Sequence, residues 1–142
     1  MNTAATTIAG EMTLGEIMTT DLVTLKLDDT LRLADDLLQL AQVRHFPVLD
    51  GERLAGIINQ DDLLSASMAS LLRHPKESLR DALGSVSVKD VMKPVTTVVT
   101  GTRVRDAASQ MVEQGIDCLL IAEGGKLLGM VTRTDLLREL AK

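Results

Sequence analysis

The sequence predicts an α+β protein made of two tandem β-α-β-β-α repeats that pack as a pseudo-twofold pair. Internal similarity is the first observation: residues 54–64 align with residues 127–137 after a shift of 73 positions, and apolar residues coincide through most of both copies. Each copy also alternates short β-favouring runs with longer runs of helical periodicity. Tight-turn pairs, Asp50-Gly51 and Gly124-Gly125, fall at matching places. Because one copy is too small to bury both faces of its sheet, the two are expected to form one body.

The two copies are predicted to contain the same elements in the same order. A hydroxyl residue three positions before a carboxylate is typical of a helix start, and it occurs at Thr13 and Ser87. An apolar stripe predicts a helix over 31–42, and a similar stripe runs from Val104 to Gly115, where glycine is suited to end the helix. The other predicted elements are strands at 23–27 and 96–100, two strands around each tight turn, and final helices capped within 59–61 and 132–134.

Four segments are expected along the chain. They are a flexible N-terminal tail at 1–13, a first repeat at 14–67, a helical linker at 68–87 and a second repeat at 88–142. The linker is predicted to be a broken helix lying on the core, because Pro75 interrupts a run of leucines comprising Leu71, Leu72, Leu79 and Leu83.

Composition excludes several classes of protein. Of the 142 residues, 45% are hydrophobic and 25% charged, which is the balance of a globular protein. The net charge of −5 argues against general affinity for nucleic acid, which needs clustered Lys and Arg. Phe46 is the one aromatic residue besides the two histidines, so binding of single strands by base stacking is not expected. A purine ligand would have to lie between aliphatic side chains.

Features that the sequence lacks indicate where the protein is located and which kinds of chemistry it does not perform. No run approaches the ~18–20 apolar residues of a membrane-spanning helix, and the first ten residues do not resemble a secretory signal, so a cytoplasmic protein with no membrane partner is expected. One cysteine and two histidines at scattered positions predict no metal site, and Cys118, in an apolar run, is expected to be an inert thiol. No paired carboxylates and no Ser/His/Asp set stand out, so the chain is predicted not to be an enzyme.

The repeat resembles the cystathionine-β-synthase (CBS) domain, a family whose members occur as tandem pairs. The residues that carry the resemblance are Ile17-Met18 and Val91-Met92 at the start of each copy, Arg44-His45-Phe46-Pro47-Val48 in the first middle strand, and the run from Gly129 to Leu137. That run contains the family's Gly-apolar-apolar-Thr/Ser-x-x-Asp motif in full. In the first copy Asp62 is kept, but Asn59 stands where Thr or Ser is usual.

The resemblance implies an adenine-nucleotide sensor, for AMP, ADP or ATP, that signals through contacts in a homodimer or with an unidentified protein partner. The implied sensor requires no cofactor, and the nucleotide is its ligand. In this family the motif's Asp receives the ribose hydroxyls, its Thr or Ser lies near the phosphates, and basic residues of the other copy's middle strand complete the phosphate site. The positions carried over are Asp135, Thr132, Arg133, Arg44 and His45 for one site, and Asp62 and Asn59 for the other. The alternatives are a ligand-free interaction scaffold and a sensor of another adenosyl ligand such as S-adenosylmethionine.

Each of these residues also has a purely structural interpretation. Asp135 and Asp62 are suited to the first turn of a helix, where a carboxylate interacts favourably with the helix dipole. Thr132 is suited to cap that helix, a role compatible with binding phosphate at the helix N-terminus. Arg133 is either a solvated surface charge or a phosphate contact, and His45 is either a ligand or a partly buried, hydrogen-bonded histidine.

The two sites are expected to be unequal. The positions matching Arg44 and His45 in the second copy are Asp117 and Cys118, which supply no positive charge. If phosphates are completed crosswise, the Asp135 site receives both basic residues and the Asp62 site receives an acidic one. The sequence therefore favours Asp135 as the nucleotide-binding position. Apolar pairs in the final helices, Leu63-Leu64 and Leu136-Leu137, are expected to support a homodimer.

Overall fold

The structure is a computed structural model that describes residues 11–142. The expectations for residues 1–10 lie outside the described part of the chain. Contacts divide the chain into two compact units, one running from Val23 to Val95 and the other combining the segment up to Leu22 with Thr96–Lys142. The helices and strands, numbered in chain order, are α1 Leu14–Ile17, β1 Leu25–Lys26, α2 Leu31–Ala41, β2 His45–Asp50, β3 Arg53–Asn59, α3 Gln60–Arg73, α4 Leu79–Leu83, β4 Thr97–Val98, α5 Val104–Gln114, β5 Cys118–Glu123, β6 Lys126–Thr132 and α6 Arg133–Leu140.

Both units contain the same small sheet. In the unit 23–95, β2 lies between β1, which is parallel to it, and β3, which is antiparallel. In the other unit, β5 lies in the same way between β4 and β6. Each hairpin turns through glycine with positive φ, 63° at Gly51 and 61° at Gly124, a conformation that glycine adopts without steric cost. The predicted α+β class and the repeated element order are confirmed.

The helical linker predicted at 68–87 agrees only in part with the structure. α3 continues without a break through Arg73, past the expected start of the linker, and the chain forms a second short helix only at α4. Leu83 of α4 is 1% exposed and packs in the core of the unit 23–95, whereas Leu72 of α3 is 83% exposed. A break is present at Pro75, and the linker reaches the core through α4 and through Val86, which packs against the same cluster.

The two opening segments are exchanged between the repeats. Val88, in the short 3-10 helix that opens the second repeat, is fully buried in the core of the first repeat's strands. Leu14 of α1 is likewise fully buried in the core formed by the second repeat. A compact unit therefore combines the strands of one repeat with the opening segment of the other.

Backbone pairing holds each exchanged segment in place. Ile57 of β3 exchanges two hydrogen bonds with Lys93, at 3.0 and 2.8 Å, and Met130 of β6 exchanges two with Thr19, both at 2.9 Å. The neighbouring glycines, Gly56 and Gly129, permit this approach. A Cβ at Gly56 would lie 2.6 Å from the Met92 sulfur and 3.0 Å from the Lys93 carbonyl oxygen, and Gly129 has the same surroundings. The glycine of the closing motif is thus required by packing.

Leucine pairs in the final helices do not face solvent together, contrary to expectation. Leu63 and Leu136 are each 4% exposed and belong to the two cores. Consecutive helical positions differ by about 100°, so one leucine of each pair faces the sheet and the other faces outward. The outward residues are Leu64 and Leu137, 60% and 58% exposed.

The ends of the two long equivalent helices allow a matched test of stability. Gln42, the residue that follows α2, has φ 55°, and Gly115, which follows α5, has φ 64°. Both values lie in the left-handed region. A side chain costs roughly 1 kcal/mol in that conformation. We predict that Gly115→Gln lowers the free energy of unfolding by about 0.5 kcal/mol and that Gln42→Gly raises it by a similar amount, because the larger entropy that glycine loses on folding offsets part of the conformational cost in both directions. Urea denaturation measures both, and shifts of the same sign would contradict this account.

Cys118 of β5 is predicted to be unreactive in the folded protein. Burial, reinforced by the negative charges of Asp117 and Asp135, raises the pKa of the thiol to about 12. Only the thiolate is nucleophilic, and an ordinary cysteine titrates near pH ~8.5. At pH 8 a disulfide-exchange reagent should label the folded chain at least about 100-fold more slowly than the urea-unfolded chain. Equal rates in the two states would show that the thiol is accessible and ionised.

Candidate functional site

Asp135 is held at the start of α6 by the residue that caps the helix. The Thr132 backbone N–H donates to Asp135 Oδ2 at 2.8 Å, the Thr132 hydroxyl donates to the same oxygen at 3.0 Å, and the Asp135 N–H donates to that hydroxyl at 3.3 Å. This is a capping box with Asp in place of the usual Glu. The second carboxylate oxygen, Oδ1, is not used by the cap.

The first repeat builds the same arrangement despite its departure from the motif. The Asn59 backbone N–H donates to Asp62 Oδ2 at 3.0 Å, and the Asp62 N–H donates to the Asn59 side-chain oxygen at 2.8 Å. An amide oxygen accepts the capping hydrogen bond as well as a hydroxyl does. Asn59 therefore keeps the geometry of Asp62, although it lacks the hydroxyl proton that Thr132 donates to its carboxylate.

The remaining oxygen of each carboxylate faces a cation, but the two contacts differ. Asp62 Oδ1 lies 2.7 Å from Lys93 Nζ, and the Asp62 side chain is only 5% exposed. Asp135 Oδ1 lies 3.4 Å from Arg138 Nη1, and this side chain is 20% exposed. Asp62 is therefore closely paired, and Asp135 is held by a longer contact at a more open position.

The charge of Lys93 is stabilised by this pairing. The hydrogen bond to Asp62 raises the pKa of Lys93 above its ordinary value, helped by the charges of Asp62 and Asp61. Sequence reasoning missed this partner, because the rest of α3, helix α4 and the short 3-10 helix lie between the two residues in the chain. Alignment of the opening segments, 14–18 with 88–92 at a shift of 74 positions, places Lys93 opposite Thr19 and so shows only that this charge is present in one copy.

A groove of about 450 Å³ opens beside Asp62 within the unit 23–95. Pockets for small molecules typically span about 300–1,000 Å³, so this groove is large enough for one. One wall is a face of α3 with small side chains, between Asp62 and Arg73, and the other is the exchanged opening segment of the second repeat. The lining residues are Asp62, Ser65, Ala66, Ala69, Ser70, Arg73, Val86, Asp90, Val91 and Lys93.

The predicted basic residues lie beside the start of α3. The Arg44 carbonyl oxygen accepts a hydrogen bond from the Gln60 N–H at 3.0 Å, and His45 pairs with Asn59 across the two strands. Arg44 is exposed and His45 is half-buried. Both belong to the compact unit that contains Asp62.

The second repeat has the matching arrangement. The Asp117 carbonyl oxygen accepts a hydrogen bond from the Arg133 N–H at 2.9 Å, and Cys118 pairs with Thr132. The structure thus brings Asp135, Thr132 and Arg133 together in one unit. It brings Asp62, Asn59, Arg44 and His45 together in the other.

Membrane-spanning helices and metal-binding clusters are both absent from the described residues, 11–142. None of the helices there combines the length and the apolar character that crossing a bilayer requires. In the same residues no three His, Cys, Asp or Glu side chains are grouped as a metal ion would need.

Comparison with known proteins places the chain in a family. The model of the CBS domain matches residues 14–69 and 88–142. A CBS domain-containing protein of Dictyostelium discoideum is 34% identical over 131 residues, covering 89% of this chain and 90% of that protein. The chain spans much less of other relatives: 43% of a 33.4 kDa protein of Thermofilum pendens at 33% identity, and 13% of an A-adding tRNA nucleotidyltransferase of Geobacter sulfurreducens at 30% identity.

Solved structures agree with this result. The acetoin utilization protein AcuB of Vibrio cholerae superimposes with a TM-score of 0.77 at 28% identity, covering 92% of this chain and 90% of that chain. CBSX2, solved in complex with AMP, superimposes with a TM-score of 0.74 at 28% identity, covering 92% and 96%. The predicted resemblance is confirmed: with one domain in each repeat and both matched by the family model, the chain belongs to the CBS-domain family.

Proposed function

We propose that the protein is a non-catalytic regulatory module that binds an adenine nucleotide, AMP, ADP or ATP. Membership of the CBS-domain family supports a regulatory role, and the similarity to CBSX2, whose structure contains AMP, supports the ligand class. A ligand-free scaffold and a sensor of S-adenosylmethionine are the alternatives that ligand binding must distinguish.

The observation that carries the proposal is the fixed carboxylate of the closing motif. Asp135 Oδ2 is held by two hydrogen bonds from Thr132, which orients the whole group and leaves Oδ1 for another partner. A carboxylate oriented in this way is suited to accept hydrogen bonds from two adjacent ribose hydroxyls, because the cost of ordering it has already been met in folding. Arg138, at 3.4 Å and 66% exposed, is the group a ligand would displace.

We assign the tighter site to Asp135. Its carboxylate is more exposed than that of Asp62 and less closely paired, so binding there displaces a weaker contact. Thr132 and Arg133, at the start of α6, are proposed to lie near the phosphates, because the helix dipole favours an anion there. Arg44 and His45 remain the predicted basic partners of the phosphates.

The protein is proposed to signal through contacts in a homodimer or with a protein partner. Helix α3 carries an exposed apolar stripe with Leu64, Met68 and Leu72, which are 60%, 61% and 83% exposed. Helix α6 carries Leu137 and Leu140, 58% and 68% exposed. Contiguous apolar surface of this kind marks interaction sites, and a second copy of the chain is the proposed occupant. A cytoplasmic location remains a proposal.

The nucleotide assignment predicts unequal effects of two matched substitutions. A hydrogen bond to a charged group contributes roughly 1.5–3 kcal/mol, so Asp135→Ala should weaken AMP binding by about 10- to 100-fold. Asp62→Ala should leave the tight site nearly unchanged. Calorimetric titration of AMP, ADP, ATP and adenosine into both variants measures the effects. Loss of tight binding in Asp62→Ala with binding retained in Asp135→Ala would reverse the assignment.

The phosphate assignment predicts a ligand-dependent effect. Arg44→Ala should weaken AMP binding about tenfold or more and adenosine binding little, because the guanidinium is assigned to phosphate alone. Combining Arg44→Ala with Asp62→Ala or with Asp135→Ala shows which site Arg44 serves. Equal losses for adenosine and AMP would contradict a phosphate role for Arg44.

Assembly is predicted to depend on the stripe on α3. Leu72→Glu should weaken a homodimer about tenfold or more, because it places a charge on apolar contact surface. Leu40→Glu is the matched control, since Leu40 lies on α2 and is also 83% exposed. Light scattering at micromolar concentrations should give twice the 15.3 kDa mass of the chain for the wild type and the control. A wild-type mass of a single chain would overturn the proposed dimer.

A further inference from the structure

The ion pair between Lys93 and Asp62 occupies the position that a ligand of the first repeat would use. Asp62 Oδ2 is committed to the helix cap, where it accepts the Asn59 N–H at 3.0 Å. Oδ1 is the oxygen left for a ligand, and Lys93 Nζ lies 2.7 Å from it. Both oxygens of Asp62 therefore have a partner within the protein.

Burial makes this partner difficult to replace with a neutral group. The Asp62 side chain is 5% exposed, and removing the countercharge from a buried carboxylate is strongly unfavourable, because the charge is poorly solvated. Two ribose hydroxyls donate hydrogen bonds but bring no positive charge. An uncharged nucleoside must therefore either leave Lys93 in place or expose its ammonium group without a counter-anion.

Lys93 itself is free to turn away when another anion is present. Its side chain is 64% exposed, so the ammonium group is near solvent and can move by rotation about the bonds of the aliphatic chain. The charged groups around it are Asp62, the more distant Asp61, and Asp90 and Arg73, which line the same groove. A phosphate group on a ligand would supply the negative charge that Lys93 loses when it leaves Asp62.

The other unit provides an internal comparison. Thr19 pairs with Met130 as Lys93 pairs with Ile57, so the two residues hold equivalent positions beside equivalent strands. Threonine carries no charge and cannot form an ion pair with Asp135. The close countercharge at the first site thus comes from Lys93 of the opening segment, whereas the cation beside Asp135 is Arg138 of its own helix, at 3.4 Å.

We propose that Lys93 is a specificity-determining residue that closes the Asp62 site to uncharged nucleosides and admits ligands that carry both a ribose diol and a phosphate. The inference rests on the proposed function, because it assumes that the two carboxylates receive ribose hydroxyls. It goes beyond that function in assigning different ligand selectivity to the two sites.

The ion pair is tested first, without any ligand. NMR titration of a chain labelled at the lysine Cε carbons follows the ionisation of Lys93 directly. Asp62→Asn should lower the pKa of Lys93 toward the ordinary lysine value, and Asp61→Asn should lower it much less, because the hydrogen bond comes from Asp62. A Lys93 pKa that does not respond to Asp62→Asn would overturn the inference, whatever the protein binds.

Ligand selectivity is tested in an Asp135→Ala background, where the Asp62 site remains. Lys93→Met, and independently Lys93→Thr, should raise the affinity for adenosine about tenfold or more and reduce the preference for AMP over adenosine. The matched control is Lys89→Met, since Lys89 pairs with Asp28 and does not line the groove. Unchanged or weaker adenosine binding in both Lys93 variants would overturn the inference.

The converse substitution tests the other site. In an Asp62→Ala background, Thr19→Lys should weaken adenosine binding at Asp135 about tenfold while AMP binding is retained. If the wild-type chain binds AMP and these selectivities do not change, the inference alone fails. If the wild-type chain binds no adenosyl ligand at all, the proposed function and the inference fail together.

Discussion

Two backbones approach each other closely beside Gly56 and beside Gly129, and this approach sets the arrangement of both cores and of the carboxylate sites. At each glycine the opening segment of one repeat pairs with the closing strand of the other, and any Cβ would collide with a methionine sulfur and a carbonyl oxygen. This pairing brings Val88 into one core and Leu14 into the other. It also places Lys93 within 2.7 Å of Asp62, since Lys93 is the residue whose backbone forms the bridge.

The capping carboxylates show how one residue serves both the fold and a site. In the sequence, a structural role in the first helical turn and a ligand-binding role are the alternatives for Asp135. The structure assigns the cap to one oxygen, Oδ2, and leaves the other outside it. The same division holds at Asp62, where Asn59 replaces the hydroxyl residue. A cap that holds the carboxylate rigid is what makes its second oxygen useful for recognition, because little flexibility remains to be lost on binding.

The polar groups around these carboxylates differ between the repeats, while the framework that carries them is alike. Equivalent strands have equivalent registers, with a shift after Val48 in one repeat and after Ile121 in the other. Around the carboxylates, by contrast, Asn59 replaces Thr132, and Lys93 stands where Thr19 does in the other unit. The shared backbone fixes where the two carboxylates lie, and the differing side chains fix the charge around them. Two sites of one architecture can acquire different ligand preferences in this way.

Local and periodic features of this protein could be predicted from its amino-acid sequence. Turns at Gly51 and Gly124, the helix end at Gly115 and the caps at Asn59 and Thr132 depend on residues within a few positions of each other, so they could be predicted from the chain alone. The family could also be predicted, because two motifs recur in register. Tertiary structure decided which repeat each opening segment joins, which of two neighbouring leucines faces the core, and that Lys93 pairs with Asp62. These depend on contacts between residues far apart in the chain, and no local preference encodes such a contact.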